Sequence, residues 1–329
     1  MQVSTKSSGT PPGRLAVLDL ARGAAVVAMA IYHFSWDLYW FAFVDWPVAQ
    51  GTGWRAFAVT IAGSFLFLAG VSLDLAHHTG IRWQSFWRRF AVIAAAAATV
   101  SLVTFFTFGE NFVRFGILHC IAASSLISLP FLRSPFWTSG AAALFLLTLP
   151  LWASSAAFDG APWLWTGLGT PGFGSVDYVP IAPWAGIALA GLSLSKVFRK
   201  LQIWQRLSVL SFSGRAGGLT RLMGRHSLSI YLLHQPILYG LVWAAAMVSP
   251  EVDRAASAFV GNCSAACSQT LGEPDLCVAA CSCTLDHLKS DGTWTMLVVE
   301  PDDQSLRERM NEHYKLCLAD PDRRPPVIE

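Results

Sequence analysis

Long apolar stretches recur along the first 250 residues of the chain, and short polar segments with glycine and proline separate them. A helix needs about 20 predominantly apolar residues to cross a bilayer. Stretches of about that length lie at residues 15–35, 55–75, 88–108, 115–132, 136–153, 179–195 and 226–248. A further short helix fits within residues 201–214. The pattern predicts an all-α protein, a polytopic membrane helix bundle of about seven spans.

Composition supports a membrane protein and divides the chain near Pro250. Hydrophobic residues make up 53% of the chain and charged residues 13%, about half the charge of a soluble domain. Residues 251–329 hold fourteen of the 21 acidic residues and six of the seven cysteines. We therefore predict a disordered segment 1–13, a membrane bundle 14–249 and a small cysteine-rich tail 250–329.

The distribution of basic residues predicts the orientation of the bundle. If the N-terminus is cytoplasmic, thirteen lysines and arginines fall in inner segments, whereas only Arg55 and Arg114 fall in outer ones. Cytoplasmic loops of membrane proteins carry this excess of positive charge. Seven spans would then place the tail on the outer side of the membrane.

The cysteines of the tail suit an oxidising compartment. Two C-x3-C pairs flank a turn segment, and residues four apart share one face of a helix. Of fifteen possible pairings, an antiparallel helical hairpin favours Cys263–Cys281, Cys267–Cys277 and Cys283–Cys317. Free thiols and a zinc knot are the alternatives. Because C-x3-C is not the usual zinc spacing, we expect disulfides and no metal.

The first span carries ionisable residues that are costly in hydrocarbon and mark function when they face the bundle interior. Arg22 and His33 are eleven residues apart, which puts them on one helix face about 16 Å apart. Asp37 follows one turn later and would orient the imidazole. These three are the candidate catalytic residues. The alternative for Arg22 is contact with the inner headgroups.

Polar residues of three later spans are candidates for substrate binding. Arg114 and His119 begin the fourth span, Asp177 precedes the sixth, and His234 lies inside the seventh, two residues before Pro236. A proline inside a helix frees a carbonyl and commonly opens a polar pocket. His119 as an interfacial cap and Asp177 as an ordinary loop carboxylate are the alternatives.

Five blocks carry a resemblance to a known family. They are "RLAVLDLARGAAVVAMAIYHFSWDL", "FLFLAGVSL", "VRFGILHCIAASSL", "VDYVPIAPWAGIALAGLSLS" and "GRHSLSIYLLHQPIL". Together, over residues 13–245, they resemble bacterial membrane proteins grouped with the heparan-alpha-glucosaminide N-acetyltransferase catalytic domain. That group is similar in turn to the transmembrane acyltransferase (acyltransferase-3) superfamily. The cysteine-rich tail lies outside the resemblance.

The resemblance implies an integral membrane acyltransferase. Such proteins move an acyl group, typically acetyl, from cytoplasmic acetyl-CoA to a sugar or glycan beyond the membrane. The Arg-x10-His pattern of acyltransferase-3 proteins matches Arg22 and His33. The lysosomal enzyme of the family carries its active histidine later, in the first lumenal stretch, but this chain has no histidine between residues 34 and 76. The resemblance therefore does not imply that glucosamine is the acceptor of this protein.

The leading hypothesis assigns roles on this basis. His33 acts as general base or takes the acyl group itself, Asp37 orients it, and Arg22 stabilises charge or binds the donor. His119 and Asp177 line the acceptor entrance. Five basic residues of the inner loop would meet the donor phosphates, although the positive-inside rule explains them equally well: Lys196, Arg199, Lys200, Arg206 and Arg215.

Two other classes of function remain open. A transporter or flippase would use Arg22, His33 and His234 as a proton or anion pathway. A seven-helix scaffold would bind a partner through its tail. The sequence contains no signal for nucleic-acid binding, and the expected partners are the lipid bilayer and the glycan acceptor, with a homo-oligomer left open.

Overall fold

A computed structural model describes residues 15–44, 46–48, 51–170, 175–210, 214–248 and 254–322. Within this part, nine helices belong to the first 250 residues. They are α1 (Ala16–Trp40), α2 (Thr52–His77), α3 (Trp83–Phe108), α4 (Ile117–Ile127), α5 (Phe136–Ala153), α6 (Ile181–Lys200), α7 (Ile203–Ser208), α8 (Arg215–Arg225) and α9 (Ser227–Val248). Short 3₁₀ helices lie at Gly109–Asn111, Ala156–Phe158 and Ala161–Thr166. The predicted disordered segment 1–13 lies outside the described residues.

All seven predicted spans are helices, so the predicted membrane helix bundle is confirmed, but the helices are of unequal length. Six of them are long and apolar enough to cross a membrane: α1, α2, α3, α5, α6 and α9. The helix α4 has only 11 residues and is therefore about 16 Å long, about half the thickness of the hydrocarbon core.

The helix α4 is shorter than the predicted span 115–132 because residues 115–116 precede it as non-helical backbone and residues 128–132 follow it as turns and a bend. The backbone of Val113 is bound to the side of α3, where its N–H donates to Thr104 (3.1 Å) and its carbonyl accepts from Ser101 (2.5 Å). A second extended segment lies beside it, with Phe115 and Tyr178 in a parallel bridge. Hydropathy alone does not distinguish the apolar turn after α4 from a continuing helix.

Small residues bring the long helices together. A Cβ on Gly70 of α2 would lie 1.9 Å from the backbone oxygen of Ala188 of α6, and a Cβ on Gly191 of α6 would lie 2.2 Å from that of Phe67. Membrane helices commonly pack through small residues because these allow close backbone contact. The pair α2 and α6 therefore forms a tight centre of the bundle.

The chain divides into two compact units, residues 1–34 with 48–238 and residues 35–47 with 239–329. The predicted segment boundary at residue 250 is not tested by this division and stays a prediction. The second unit contains the helices of the tail. They are α10 (Arg254–Leu271), α11 (Pro274–Ser290), α12 (Thr293–Val299) and α13 (Gln304–Ala319).

Three disulfides hold the tail helices together, and the predicted pairing is confirmed. The bonds are Cys263–Cys281, Cys267–Cys277 and Cys283–Cys317. The first two join α10 to α11, and the third joins α11 to α13. Around them, Leu288, Trp294 and Leu306 are buried in a small apolar core. Cross-links of this kind are typical of small secreted domains whose cores alone are insufficient.

Candidate active site

Arg22 of α1 is held by polar groups on two sides. Its Nη1 lies 3.3 Å from Oδ1 of Asp19, and its Nη2 donates a hydrogen bond to the hydroxyl of Ser72 on α2. Asp19 is only 1% exposed, and its second oxygen lies 3.4 Å from Nε of Arg225 on α8. One buried carboxylate therefore positions two arginines from different helices.

Two glycines make this arrangement possible, because α1 and α8 touch at the level of their backbones. A Cβ on Gly23 would lie 1.9 Å from the backbone oxygen of Thr220, and one on Gly224 would lie 1.8 Å from that of Asp19. Any larger residue at either position would push α8 away from α1. The close contact brings Arg225 within reach of the Asp19 carboxylate.

A cavity of about 510 Å³ lies beside these groups, within the size range of small-molecule sites. Four of its lining residues are the arginines Arg22, Arg88, Arg89 and Arg225. Arg88 and Arg89, from the first turns of α3, form no ion pair or side-chain hydrogen bond with any other described residue. This concentration of positive charge fits a ligand with several negative charges, such as the phosphates of a nucleotide.

Tyr231 of α9 also lines the cavity and begins a row of rings that leads to His33. The Tyr231 ring lies 5.8 Å from that of His234, and the His234 ring lies 4.9 Å from that of His33, edge to face at 62°. The α9 helix supplies the first two rings at i and i+3, which share a helix face. The structure therefore brings together two of the predicted site residues, His33 and His234.

The tautomer of His234 follows from its hydrogen bond. Its Nδ1 lies 2.7 Å from the carbonyl oxygen of Tyr231, so Nδ1 carries the proton and Nε2 the lone pair. The Nε2 atom is buried and has no hydrogen-bond partner within the described part of the chain. Since unsatisfied buried polar atoms are rare, this basic nitrogen is a candidate for chemistry.

His119 and Asp177 bind the backbone near the start of α4. Nδ1 of His119 accepts from the N–H of Gly116 (3.3 Å), and its Nε2 lies 3.3 Å from the hydroxyl of Ser101. Asp177 accepts from the N–H of Ile117 at 3.0 Å, the favourable place for a carboxylate at a helix N-terminus. Both side chains therefore hold the two extended segments against α4.

Arg114 and Asp37 complete the predicted set. Arg114 lies 3.1 Å from Glu110 and 4.7 Å above the ring of Phe112. Asp37 lies one turn beyond His33 on α1, belongs to the second unit and is buried. The predicted roles of His119, Asp177 and Arg114 in acceptor binding, and of Asp37 in orienting His33, stay predictions.

Two basic residues that were expected to bind donor phosphates, Lys196 and Arg199, contact other groups of the protein. Nζ of Lys196 donates to the carbonyl oxygen of Ser134 (2.7 Å) and to that of Phe131. Arg199 lies 3.2 Å from the fully buried Asp74 of α2. These contacts tie α6 to its neighbours, which is a structural role.

Sequence reasoning missed Asp19, Arg88, Arg89 and Tyr231 as parts of the site. Asp19 is three residues before Arg22, and this spacing for an ion pair on a helix was the available signal. Arg88 and Arg89 were interpreted only as inner-loop charge, because the positive-inside rule produces the same pattern without any ligand. Nothing in the local sequence marked Tyr231.

The fold and this site define an integral membrane protein with a basic cavity whose wall includes Tyr231, the first of a row of aromatic and imidazole rings. The family model for "Heparan-alpha-glucosaminide N-acetyltransferase, catalytic" matches residues 14–236. The chain therefore belongs to this family of membrane acetyltransferases, as the sequence blocks indicated. No curated protein and no solved structure matches the chain.

Burial raises the pKa of Asp177 from its ordinary value of 3.8 to about 6, against the opposing effect of the hydrogen bond from Ile117. The folded state therefore holds the proton more tightly than the unfolded state does. Between about pH 4 and pH 6, the free energy of unfolding falls as pH rises, because folding then requires a buried charge.

We predict that Asp177→Asn removes this contribution, because the amide oxygen still accepts from Ile117 but carries no charge. The melting temperature of the Asn variant should rise relative to the wild type as pH increases from about 4 to about 7. Melting curves in detergent at each pH measure the difference. Parallel curves for the two proteins would contradict the assignment.

Proposed function

We propose that the protein transfers an acyl group, acetyl in the simplest case, from cytoplasmic acetyl-CoA to a sugar or glycan on the opposite side of the membrane. The observation that carries this proposal is the cavity with four arginines whose wall includes Tyr231, followed by His234 and His33. Membership of an acetyltransferase family supports the reaction class.

The four arginines of the cavity would hold the nucleotide end of the donor. Planar guanidinium groups bind phosphate oxygens through paired hydrogen bonds. Arg88 and Arg89 have no such partner among the described residues, whereas Arg22 and Arg225 both contact the carboxylate of Asp19. When bound, acetyl-CoA supplies an activated thioester, and the row of rings lies in the direction in which the acyl group has to travel.

The two histidines provide the base that the reaction needs. The acceptor hydroxyl or amine must lose a proton when it attacks a thioester carbonyl. We assign this proton to His33, next to His234, whose buried Nε2 has no hydrogen-bond partner among the described residues. As the new acyl bond forms, the bond between the acyl carbon and sulfur breaks, and the proton passes to the departing coenzyme A thiolate to give the free thiol. Two neighbouring imidazoles can share one added proton, whereas two positively charged imidazolium rings would repel each other.

The proposed orientation places the N-terminus and the arginine cavity on the cytoplasmic side of a bacterial inner membrane. Arg88 and Arg89 then lie at the inner end of α3, where acetyl-CoA is available, and His33 lies about 16 Å further along α1 than Arg22. The disulfide-bonded tail would lie in the periplasm, which is oxidising.

We predict that His33→Ala reduces acyl transfer by about a hundredfold or more, the usual contribution of a general base. Inverted membrane vesicles are incubated with labelled acetyl-CoA, and label on glycan inside the vesicles is counted. His226→Ala is the matched control, because His226 is exposed between α8 and α9 and belongs to neither the cavity nor the row of rings. Unchanged transfer by the His33 variant would remove the assignment.

We predict that Arg88→Gln and Arg89→Gln each raise the KM for acetyl-CoA by about tenfold or more and leave kcat little changed. Each replacement removes a charged hydrogen bond to phosphate. The KM for acetyl-pantetheine, which lacks the nucleotide, should not change.

Arg133→Gln, an exposed arginine outside the cavity, is the control and should leave both KM values unchanged. Equal KM increases for the two thioesters in the Arg88 and Arg89 variants would show that these arginines do not bind the nucleotide.

A further inference from the structure

The connection between α6 and α9 has an unusual charge. Residues 201–225 contain four arginines and no acidic residue. Arg206 of α7 and Arg215 of α8 are exposed, and their side chains make no ion pair within the described part of the chain. A surface with this charge attracts anions. Of residues 201–225, only Gly224 and Arg225 line the arginine cavity.

The helix α8 in this connection packs Met223 against the bundle but exposes two leucines. Its small residues, Thr220 and Gly224, form the face that packs on α1. Leu219 and Leu222 lie on the opposite face and are 60% and 51% exposed, with Arg215 beside them. Burying these two neighbouring leucines in an apolar environment would be favourable.

The position of α8 in the chain indicates what covers it. The helix ends at Arg225, and the span α9 begins at Ser227, only one residue later. Because one residue separates them, the end of α8 is close to the end of a helix that is long and apolar enough to cross a membrane. Helices with a basic edge and an apolar face lie in the plane of the bilayer surface, with leucines among the acyl chains and arginines at the headgroups.

We propose that α8 is an interfacial helix that docks on acidic phospholipids of the adjoining leaflet. Arg206 and Arg215 bind the headgroups, and Leu219 and Leu222 enter the acyl-chain region. The absence of acidic residues from 201–225 matches an anionic lipid surface, which attracts basic segments next to a span. The proposal does not depend on acyl transfer.

Retention of lipid tests the headgroup contacts. The full-length protein is reconstituted in nanodiscs of phosphatidylcholine with phosphatidylglycerol, and the lipids that remain bound after detergent extraction are counted by native mass spectrometry. Arg206→Gln combined with Arg215→Gln should reduce phosphatidylglycerol retention by roughly tenfold or more relative to phosphatidylcholine. Arg82→Gln combined with Arg133→Gln removes the same charge elsewhere and is the matched control. Equal retention by both variants would overturn the proposal.

A fluorescent label tests the apolar contact. Leu219→Cys is labelled, because the remaining cysteines of the chain are disulfide-bonded or buried. A nitroxide on the lipid acyl chain should quench the label equally in discs with one or several copies of the protein. No quenching at all would overturn the proposal. Protection from the nitroxide only where copies share a disc would also overturn it, because a second copy would then cover α8.

Discussion

The candidate site depends on one buried carboxylate. Asp19 is almost completely enclosed and lies within ion-pair distance of Arg22 and Arg225. A buried charge is tolerated only with such partners, so Asp19 fixes the place where α8 meets α1. The backbone contacts at Gly23 and Gly224 then leave no room for another arrangement. The cavity beside this junction is lined by four arginines, and this concentration of positive charge supports the proposal of an anionic donor.

At the opposite end of the bundle, side-chain hydrogen bonds to non-helical backbone hold the helices together. Two extended segments lie side by side within the bundle, and side chains of Ser101, Thr104 and Asp177 bind their backbone groups. Irregular backbone is accepted in membrane proteins where the protein itself satisfies its hydrogen bonds. The short α4 therefore begins inside the bundle, close to the level of the row of rings, since Tyr231 packs with Ile117 and Cys120 in one apolar cluster.

The features that could be predicted from the sequence have local causes. Apolar length located the helices, and the spacing of Cys263 and Cys267 on one helix face allowed the disulfide pairing to be predicted. The end of α4 at Ile127 escaped prediction because the turn residues 128–132 are mostly apolar, like those of a helix. Arg88 and Arg89 were ambiguous, since orientation and ligand binding place the same residue type at the same end of a span. The structure adds that both arginines line one cavity together with Arg22 and Arg225, which the sequence could not show.

We propose that the donor nucleotide binds between α1, α3 and α8. A cryo-EM structure of the protein with coenzyme A provides the decisive measurement. We expect phosphate density in contact with Arg22, Arg88, Arg89 and Arg225, and the pantetheine arm directed towards Tyr231. Density for the nucleotide against another surface, with the arginine cavity empty, would rule out this binding site.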